Sequence, residues 1–416
     1  LLTIGGVMEV STDRSGKAVE RKNFFEKEVR KMNRLKSWIV FLMLGFGIFG
    51  YISKANAGKE EVYVLVNLLV EKGTITSEEG KEIMAAVDNI VKKQKQDAEK
   101  NSVKTSSAKN LKIGGYIQTR YDAYDYKGKR DEFSIKRART SLSGTIIDNV
   151  NFKMEFDLTK GKDNDLLTDA FIKFTNFPKA NITLGQFKIP YSEEYLISSA
   201  ALDTIERSLP VTKMSSEYDR GIMIDGDLAE KVLYYGVALV NGTGGNKAED
   251  NDSKDIVARL VFSPWGKSDD ALTGLKFGAA YQTGEQKMGA DKEDRTRNEF
   301  MLRYQYKNFK ALAEYLNQEV KKKGQKATKS DGYFVQMAYG FNLENDHALE
   351  PVVKYEVYDP DTNKAKDTQS IFTAGLNWYM GKNVKFSTNY RWRNDDKGGK
   401  TQTNSNEWFS QVQIRY

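Results

Sequence analysis

The clearest pattern in the chain is a two-residue rhythm. From Val150 to Leu158 (VNFKMEFDL) the side chains of Val150, Phe152, Met154, Phe156 and Leu158 alternate with those of Asn151, Lys153, Glu155 and Asp157. Such alternation puts oil on one face of a strand and water on the other. The rhythm continues to the C-terminus. Phe300, Leu302, Tyr304 and Tyr306 oppose Glu299, Met301, Arg303 and Gln305, and Leu349, Pro351, Val353, Tyr355 and Val357 oppose Glu350, Lys354 and Glu356. Trp408, Val412, Ile414 and Tyr416 oppose Gln411, Gln413 and Arg415. Sixteen strands are expected, over 111–126, 132–147, 150–158, 166–176, 181–190, 219–228, 231–242, 253–264, 273–285, 295–307, 309–320, 332–342, 347–358, 368–380, 382–394 and 405–416.

The gaps between them alternate in length. Asp148-Asn149, Ala229-Glu230, Asn308 and Gly381 mark tight turns, whereas 127–131, 159–165, 191–218, 243–252, 286–294, 321–331, 359–367 and 395–404 are longer. Long loops at one end and tight turns at the other, with an even strand number, is the build of an outer-membrane barrel. A soluble protein would need two sandwiches to use sixteen strands with charged faces. The expected fold is therefore all-β, a 16-stranded antiparallel transmembrane β-barrel over 111–416, with the last strand pairing the first so that no edge is left. One strand breaks the rule: Ile182 and Leu184 have the opposite parity to Phe187 and Ile189. A β-bulge at Gly185-Gln186 would reconcile them.

Upstream of the barrel the pattern changes. Trp38–Ile52 is apolar, preceded by Arg34 and Lys36 and followed by Ala55-Asn56-Ala57. That reads as a secretory signal peptide over 32–57, with 1–31 as an upstream over-extension of the reading frame. Residues 58–110 read as a periplasmic helical segment and linker: Thr76 and Glu79 fit a capping box, and Ile83, Val87 and Ile90 share a helical face.

Composition narrows the chemistry. The net charge of +7 misleads, because residues up to 57 carry ten basic and five acidic groups, leaving 54 against 52 in the rest. No concentrated basic patch is left to bind nucleic acid. The chain has no cysteine, so thiol catalysis and zinc–cysteine sites are excluded. It has one histidine, His347, without an evident serine partner. Asp359–Asp367 lacks the glycine and the closing glutamate of a calcium loop, and Asn241–Gly245 lacks the helix and lysine of a phosphate cradle. No enzyme activity, metal or cofactor is expected.

The segment Phe133–Arg207 resembles the phosphate-selective porin O and P family of Gram-negative outer membranes. The similar pieces are Lys136-Arg137-Ala138-Arg139 with Leu142 and Gly144, Phe152-Lys153-Met154-Glu155-Phe156-Asp157, Asp169-Ala170, Gly185-Gln186-Phe187-Lys188-Ile189-Pro190 and Glu206-Arg207. Weaker similarity runs through Ala258–Pro264, Ala313-Glu314-Tyr315 and the C-terminal strand. The resemblance implies a trimeric porin whose third extracellular loop folds inward; 191–218, after the fifth strand, matches that loop.

By parity the lumen receives Arg120, Arg137, Arg139, Lys153, Lys173, Lys188, Arg259, Lys276, Arg303, Lys354, Lys385, Arg391, Arg393 and Arg415, mixed with acids such as Asp122, Glu155, Asp157, Asp255, Glu299, Glu314, Glu350, Glu356 and Glu407. Rings of Arg and Lys lower the barrier for anions. The anion path is expected to use Arg120, Arg137, Arg139, Lys153, Lys188, Arg207, Arg259, Arg303, Lys354, Arg391 and Arg393. The loop leans acidic through Glu193, Glu194 and Glu206. Acids facing a basic wall create a transverse field rather than a dedicated phosphate filter. Lys321, Lys322, Lys323, Lys326 and Lys329 would either funnel anions toward the mouth or meet solvent or the phosphates of lipopolysaccharide and other outer-membrane lipid. Two functions follow. One is a passive homotrimeric porin with a mild preference for small anionic solutes such as phosphate. The other is a structural outer-membrane anchor with a plugged barrel whose periplasmic helices bind a partner.

Overall fold

The computed structural model describes residues 108–416 except 127, 161–164, 267–270, 289–290, 323 and 398–399, together with Ser102–Val103 and scattered positions between 67 and 89. The expected signal peptide and upstream extension lie outside the described residues. Within 58–110, the described positions between 77 and 89 are helical, and the Gly80 N–H donates to the Thr76 carbonyl at 3.0 Å.

Sixteen strands make the wall: β1 (Lys109–Tyr124), β2 (Glu132–Ile147), β3 (Val150–Asp157), β4 (Leu167–Phe177), β5 (Ala180–Lys188), β6 (Tyr218–Leu228), β7 (Leu233–Val240), β8 (Asp255–Phe262), β9 (Leu275–Met288), β10 (Asp291–Tyr306), β11 (Phe309–Lys322), β12 (Thr328–Tyr339), β13 (His347–Asp359), β14 (Gln369–Met380), β15 (Val384–Lys397) and β16 (Lys400–Arg415). A two-residue piece, Phe341–Asn342, continues β12 onto β13. Every strand pairs antiparallel with its sequence neighbours. The barrel closes where β16 pairs β1, from Glu407↔Tyr124 to Arg415↔Tyr116. Gly115 and Tyr416 then exchange two backbone hydrogen bonds at 3.1 Å. A closed ladder satisfies every wall amide inside hydrocarbon, where no water can.

The barrel is inverted relative to a soluble core. Along β13, Glu350, Val352, Lys354 and Glu356 are buried while Pro351, Val353 and Tyr355 are exposed. Phe300, Leu302, Phe372, Leu376, Trp392 and Val412 are likewise exposed, which forms the apolar belt a bilayer needs. Aromatic pairs such as Tyr304–Phe309 and Tyr339–Phe341 sit beside the turns. His347, in the same turn end, accepts a hydrogen bond from Trp378 Nε1 at 3.1 Å.

Two expectations need correction. First, there is no bulge at Gly185-Gln186. The β4–β5 and β5–β6 ladders run through both residues without a register shift. Alternation is kept because Phe187 and Ile189 belong to an apolar cluster inside the barrel. Gly185 is needed for another reason: its φ is +127°, and a Cβ there would lie 2.2 Å from the Ala170 carbonyl oxygen. Second, three loops are largely strand. Pairing extends to Met288↔Asp291, Lys397↔Lys400 and Val320↔Thr328. These ladders rise beyond the apolar belt, where polar and charged residues follow one another in the sequence and no two-residue rhythm marks them.

Candidate functional site: the inward loop and the passage beside it

The loop 191–218 builds two short α-helices and, between them, a single 3-10 turn at Ser199–Ala201. In α1 (Glu193–Leu196), Ser192 Oγ accepts from the Tyr195 N–H at 3.3 Å, a side-chain cap. α2 (Leu209–Met214) starts with Pro210, which has no N–H to strand in a first turn. Val211 and Met214 of α2, with Tyr191, are fully buried against Phe187, Ile189, Val240, Val257, Leu312, Leu316 and Phe334. Full burial of a Val or Met side chain stabilises by roughly 1.5–3 kcal/mol. The apolar inner wall on β7, β8, β11 and β12 therefore seats the loop inside the lumen.

Polar groups tie the rest of the loop to the wall. Glu193 accepts from Arg259 (β8) and Arg303 (β10), each at 2.6 Å. Asp203 takes Lys310 (β11) at 2.9 Å and Gln336 (β12) at 3.0 Å. The Asn389 side chain (β15) accepts from the Ile205 N–H at 2.8 Å, and Lys385 donates to the Leu202 carbonyl at 2.9 Å. Gln413 (β16) reaches the Ala200 carbonyl at 3.1 Å, and Gln118 (β1) the Ser199 carbonyl at 3.3 Å. Glu206 is bonded to Arg120 (β1) and lies 3.0 Å from Lys136 (β2). Lys354 (β13) donates to the Glu206 carbonyl at 2.8 Å. The loop thus crosses the lumen from β5 to the opposite wall.

Between β2 and β6 the loop touches the wall only in places, through Lys136 of β2 and Lys188 of β5, and leaves a gap. A cavity of about 280 Å³ lies there, between the wall, with Tyr218 at the start of β6, and the loop residues Leu196 and Ser198. The wall side carries Arg139, Lys153, Glu155, Asp169, Phe171, Lys173, Thr183, Phe187, Lys188 and Met223. Each cation has a carboxylate partner. Lys153 meets Asp169 at 2.5 Å and Glu155 at 3.2 Å; Lys173 meets Asp225 at 3.1 Å; Lys188 meets Glu217 at 3.0 Å. Arg139 meets Asp157 and Glu155, each at 3.1 Å. The two signs are not equally presented. The side chains of Lys153 and Lys173 are 33% and 29% exposed, while those of Asp169 and Asp225 are 7% and 9%. The lysine side chains are thus more exposed than the carboxylates they pair with, although Glu155 and Asp169 line the cavity as well.

The residues expected on the anion path separate into groups. Arg139, Lys153 and Lys188 line the cavity. Arg120, Arg259, Arg303 and Lys354 hold the loop. Arg137 donates to Gln118 at 2.9 Å, Arg391 to Glu407 at 2.6 Å and Arg393 to Asp395 at 2.9 Å, all within the wall. Arg207 braces the loop itself, through the Ile197 carbonyl at 2.8 Å and Glu217 at 3.2 Å. Among the loop acids, Glu193 and Glu206 bond the wall directly instead of facing it across a gap. Glu194 is buried and accepts from the Ser208 N–H at 2.7 Å and its hydroxyl at 3.0 Å. Burial pushes its carboxyl above the usual range, against the pull of Lys354.

Lys136 was not legible as an inward group. Register shifts between Gln118↔Arg137 and Thr119↔Ile135, which leaves Lys136 as the extra residue of a bulge. The signal was present: Phe133 and Ile135 share parity with Arg137 and Arg139, and charge cannot follow oil on one face without a bulge. Lys310, Asp169 and Asp225 were also missed as partners of the loop and of the lysines.

An inverted sixteen-strand barrel with its third long loop folded into the lumen defines an outer-membrane porin. The family model described as phosphate-selective porin O and P matches residues 111–308 and 288–416, and the chain belongs to that family. An uncharacterised protein of Aquifex aeolicus is 27% identical over 90% of this chain and 99% of its own length. Porin O of Pseudomonas aeruginosa is 22% identical over 69% of this chain and 84% of its own. The anion-selective porin from Comamonas acidovorans shares the fold, with a TM-score of 0.55, 12% identity, and coverage of 74% of this chain and 99% of that one. The protein is an outer-membrane channel protein of Gram-negative cells.

Proposed function

We propose that the chain is a passive pore for small solutes with a mild preference for anions, and that solutes pass between the inward loop and the β2–β6 wall. One observation carries the charge preference: the most exposed ionisable side chains of the cavity are those of Lys153 and Lys173, and the carboxylates they pair with are less exposed. In a narrow aqueous path the sign presented to the solute sets the barrier. The preference is mild because every cation is partnered and much of its field is cancelled at short range. Among the described residues the wall carries no run of uncommitted arginines of the kind a strict phosphate filter would use.

We also propose a homotrimer, as in the family. An outward trough of about 430 Å³ on β1, β2, β15 and β16, lined by Tyr121, Phe133, Ile135, Phe386 and Val412, gives the outer face a concavity for a neighbour. The exposed lysines of the β11–β12 hairpin suit contact with lipopolysaccharide phosphates.

The test is electrical. In planar bilayers the protein should give ohmic steps grouped in threes, with a reversal potential in a KCl gradient displaced toward chloride. Lys153→Gln with Lys173→Gln should move that potential toward potassium, because Asp169 and Asp225 then lose their counter-charge. An unmoved potential would place the selective region elsewhere. Silent membranes would favour the plugged-anchor reading, to which the many loop–wall bonds would then belong.

A further inference from the structure

We infer that the cavity between the loop and the β2–β6 wall is a weak binding site for a monocarboxylate with an apolar body, in preference to inorganic phosphate. This rests on the pore reading above. The first argument counts donors. A lysine ammonium has three N–H groups. Lys188 spends all three, on the Tyr195 carbonyl, the Ile197 carbonyl and Glu217. Lys153 spends two, on Asp169 and Glu155, and Lys173 spends two, on the two oxygens of Asp225. One N–H therefore remains on each of Lys153 and Lys173.

A third donor sits on the next strand, β5. Thr183 Oγ1 is buried on this wall and has no hydrogen-bond partner among the described residues. It lies directly opposite Lys173 in the β4–β5 ladder and lines the same cavity. A buried hydroxyl left unmade costs free energy that a ligand oxygen recovers. Two ammonium N–H groups and one hydroxyl suit the two oxygens of a carboxylate. They are too few for the four oxygens of a phosphate, whose second charge would also meet Glu155 and Asp169.

The second argument is the rest of the lining. Phe171, Phe187, Leu196 and Met223 bring apolar surface to the cavity next to the lysines. Phe171 faces Gly185 across the ladder, so no side chain on β5 covers it from that side. A small inorganic anion leaves this surface wet; a ring or short alkyl chain covers it, which is favourable in proportion to the area removed from water. A cavity of about 280 Å³ holds one such molecule.

The experiment uses the full-length channel in a planar bilayer, with benzoate, acetate and inorganic phosphate as probes of the KCl current. Benzoate is expected to half-block at a concentration about tenfold below that of acetate, which corresponds to about 1.4 kcal/mol, and below that of phosphate. Thr183→Val keeps the shape of the side chain and removes the hydroxyl; it should weaken block by benzoate and acetate alike. Leu196→Asn, on the loop, should narrow the gap between benzoate and acetate. The KCl steps of each variant report that it has folded and inserted. Phosphate blocking at or below the benzoate concentration, equal block by benzoate and acetate, or benzoate block unchanged in both variants would each overturn the proposal while leaving the pore intact. Absence of KCl current in the unmodified protein would remove the pore reading and this one with it.

Discussion

Glu206 shows how a residue's role depends on its neighbours rather than its charge. It sits on the loop tip between Arg120 and Lys136. Burial disfavours its charge, but the Lys136 ammonium and Arg120 guanidinium outweigh burial and hold the carboxyl down at about 2. An unfolded glutamate titrates near 4.3. A depressed carboxyl contributes stability that is complete above the unfolded value and is lost as pH falls toward the folded one. The tip should therefore stay latched at neutral pH and down to about 4.3, and loosen only as pH approaches about 2. Glu206→Gln imposes the neutral form at pH 7, and single-channel records should then show current flicker that the unmodified protein shows only near the acid limit. Quiet records from the variant would mean that the apolar seat alone fixes the loop. The sequence marked Glu206 as a loop acid but could not show it bonded to the wall, because its partner Lys136 depends on a bulge that a fixed parity conceals.

At the scale of elements, the two-residue period located all sixteen strands to within a few residues at the membrane, because there the solvent differs on the two faces. Above the belt the difference vanishes, and the extensions of β9–β10, β11–β12 and β15–β16 went unread. Inside the lumen it also fails, since Leu312, Leu316 and Phe334 are apolar and inward. They face protein, not water, and only the loop explains them. The belt itself makes a sharp expectation. Val353 is exposed at the middle of β13, between the buried Val352 and Lys354. An arginine at a lipid-facing position near the midplane costs about 2–4 kcal/mol. Val353→Arg should lower the unfolding free energy by that amount in reversible denaturation from lipid vesicles. A change below about 0.5 kcal/mol, the usual size at a solvated surface, would place this face in water and undo the membrane reading of the strand.

For the whole molecule the question is how much of the lumen the loop closes. A sixteen-stranded barrel leaves an aqueous channel unless something fills it. Here α2 fills the β11–β13 side with packed apolar groups, and 199–206 fills the β14–β16 and β1 side with hydrogen bonds from Asn377, Lys385, Asn389, Gln413 and Gln118. The two fillings differ in kind. Packed side chains exclude water, whereas 199–206, although Ala200, Leu202 and Ile205 are buried, is held mainly by ion pairs and by hydrogen bonds worth about 0.5–1.5 kcal/mol net each, and can be removed with its polar partners returned to water. Replacing 199–206 by a short Gly-Ser link should therefore open a second path along β15, β16 and β1 while α2 stays seated. Conductance in KCl should rise severalfold. The path it opens presents Arg120, Lys136 and Lys385 freed of their loop partners, and Lys354 freed of the Glu206 carbonyl though still beside Glu194, so the reversal potential should move further toward chloride. Unchanged conductance would show that the tip does not limit flow. A rise without a shift in potential would show that these four cations, once released, are answered by the wall acids Asp122, Glu350 and Glu356, so that the wall is neutral in itself and the selectivity belongs to the β2–β6 passage alone.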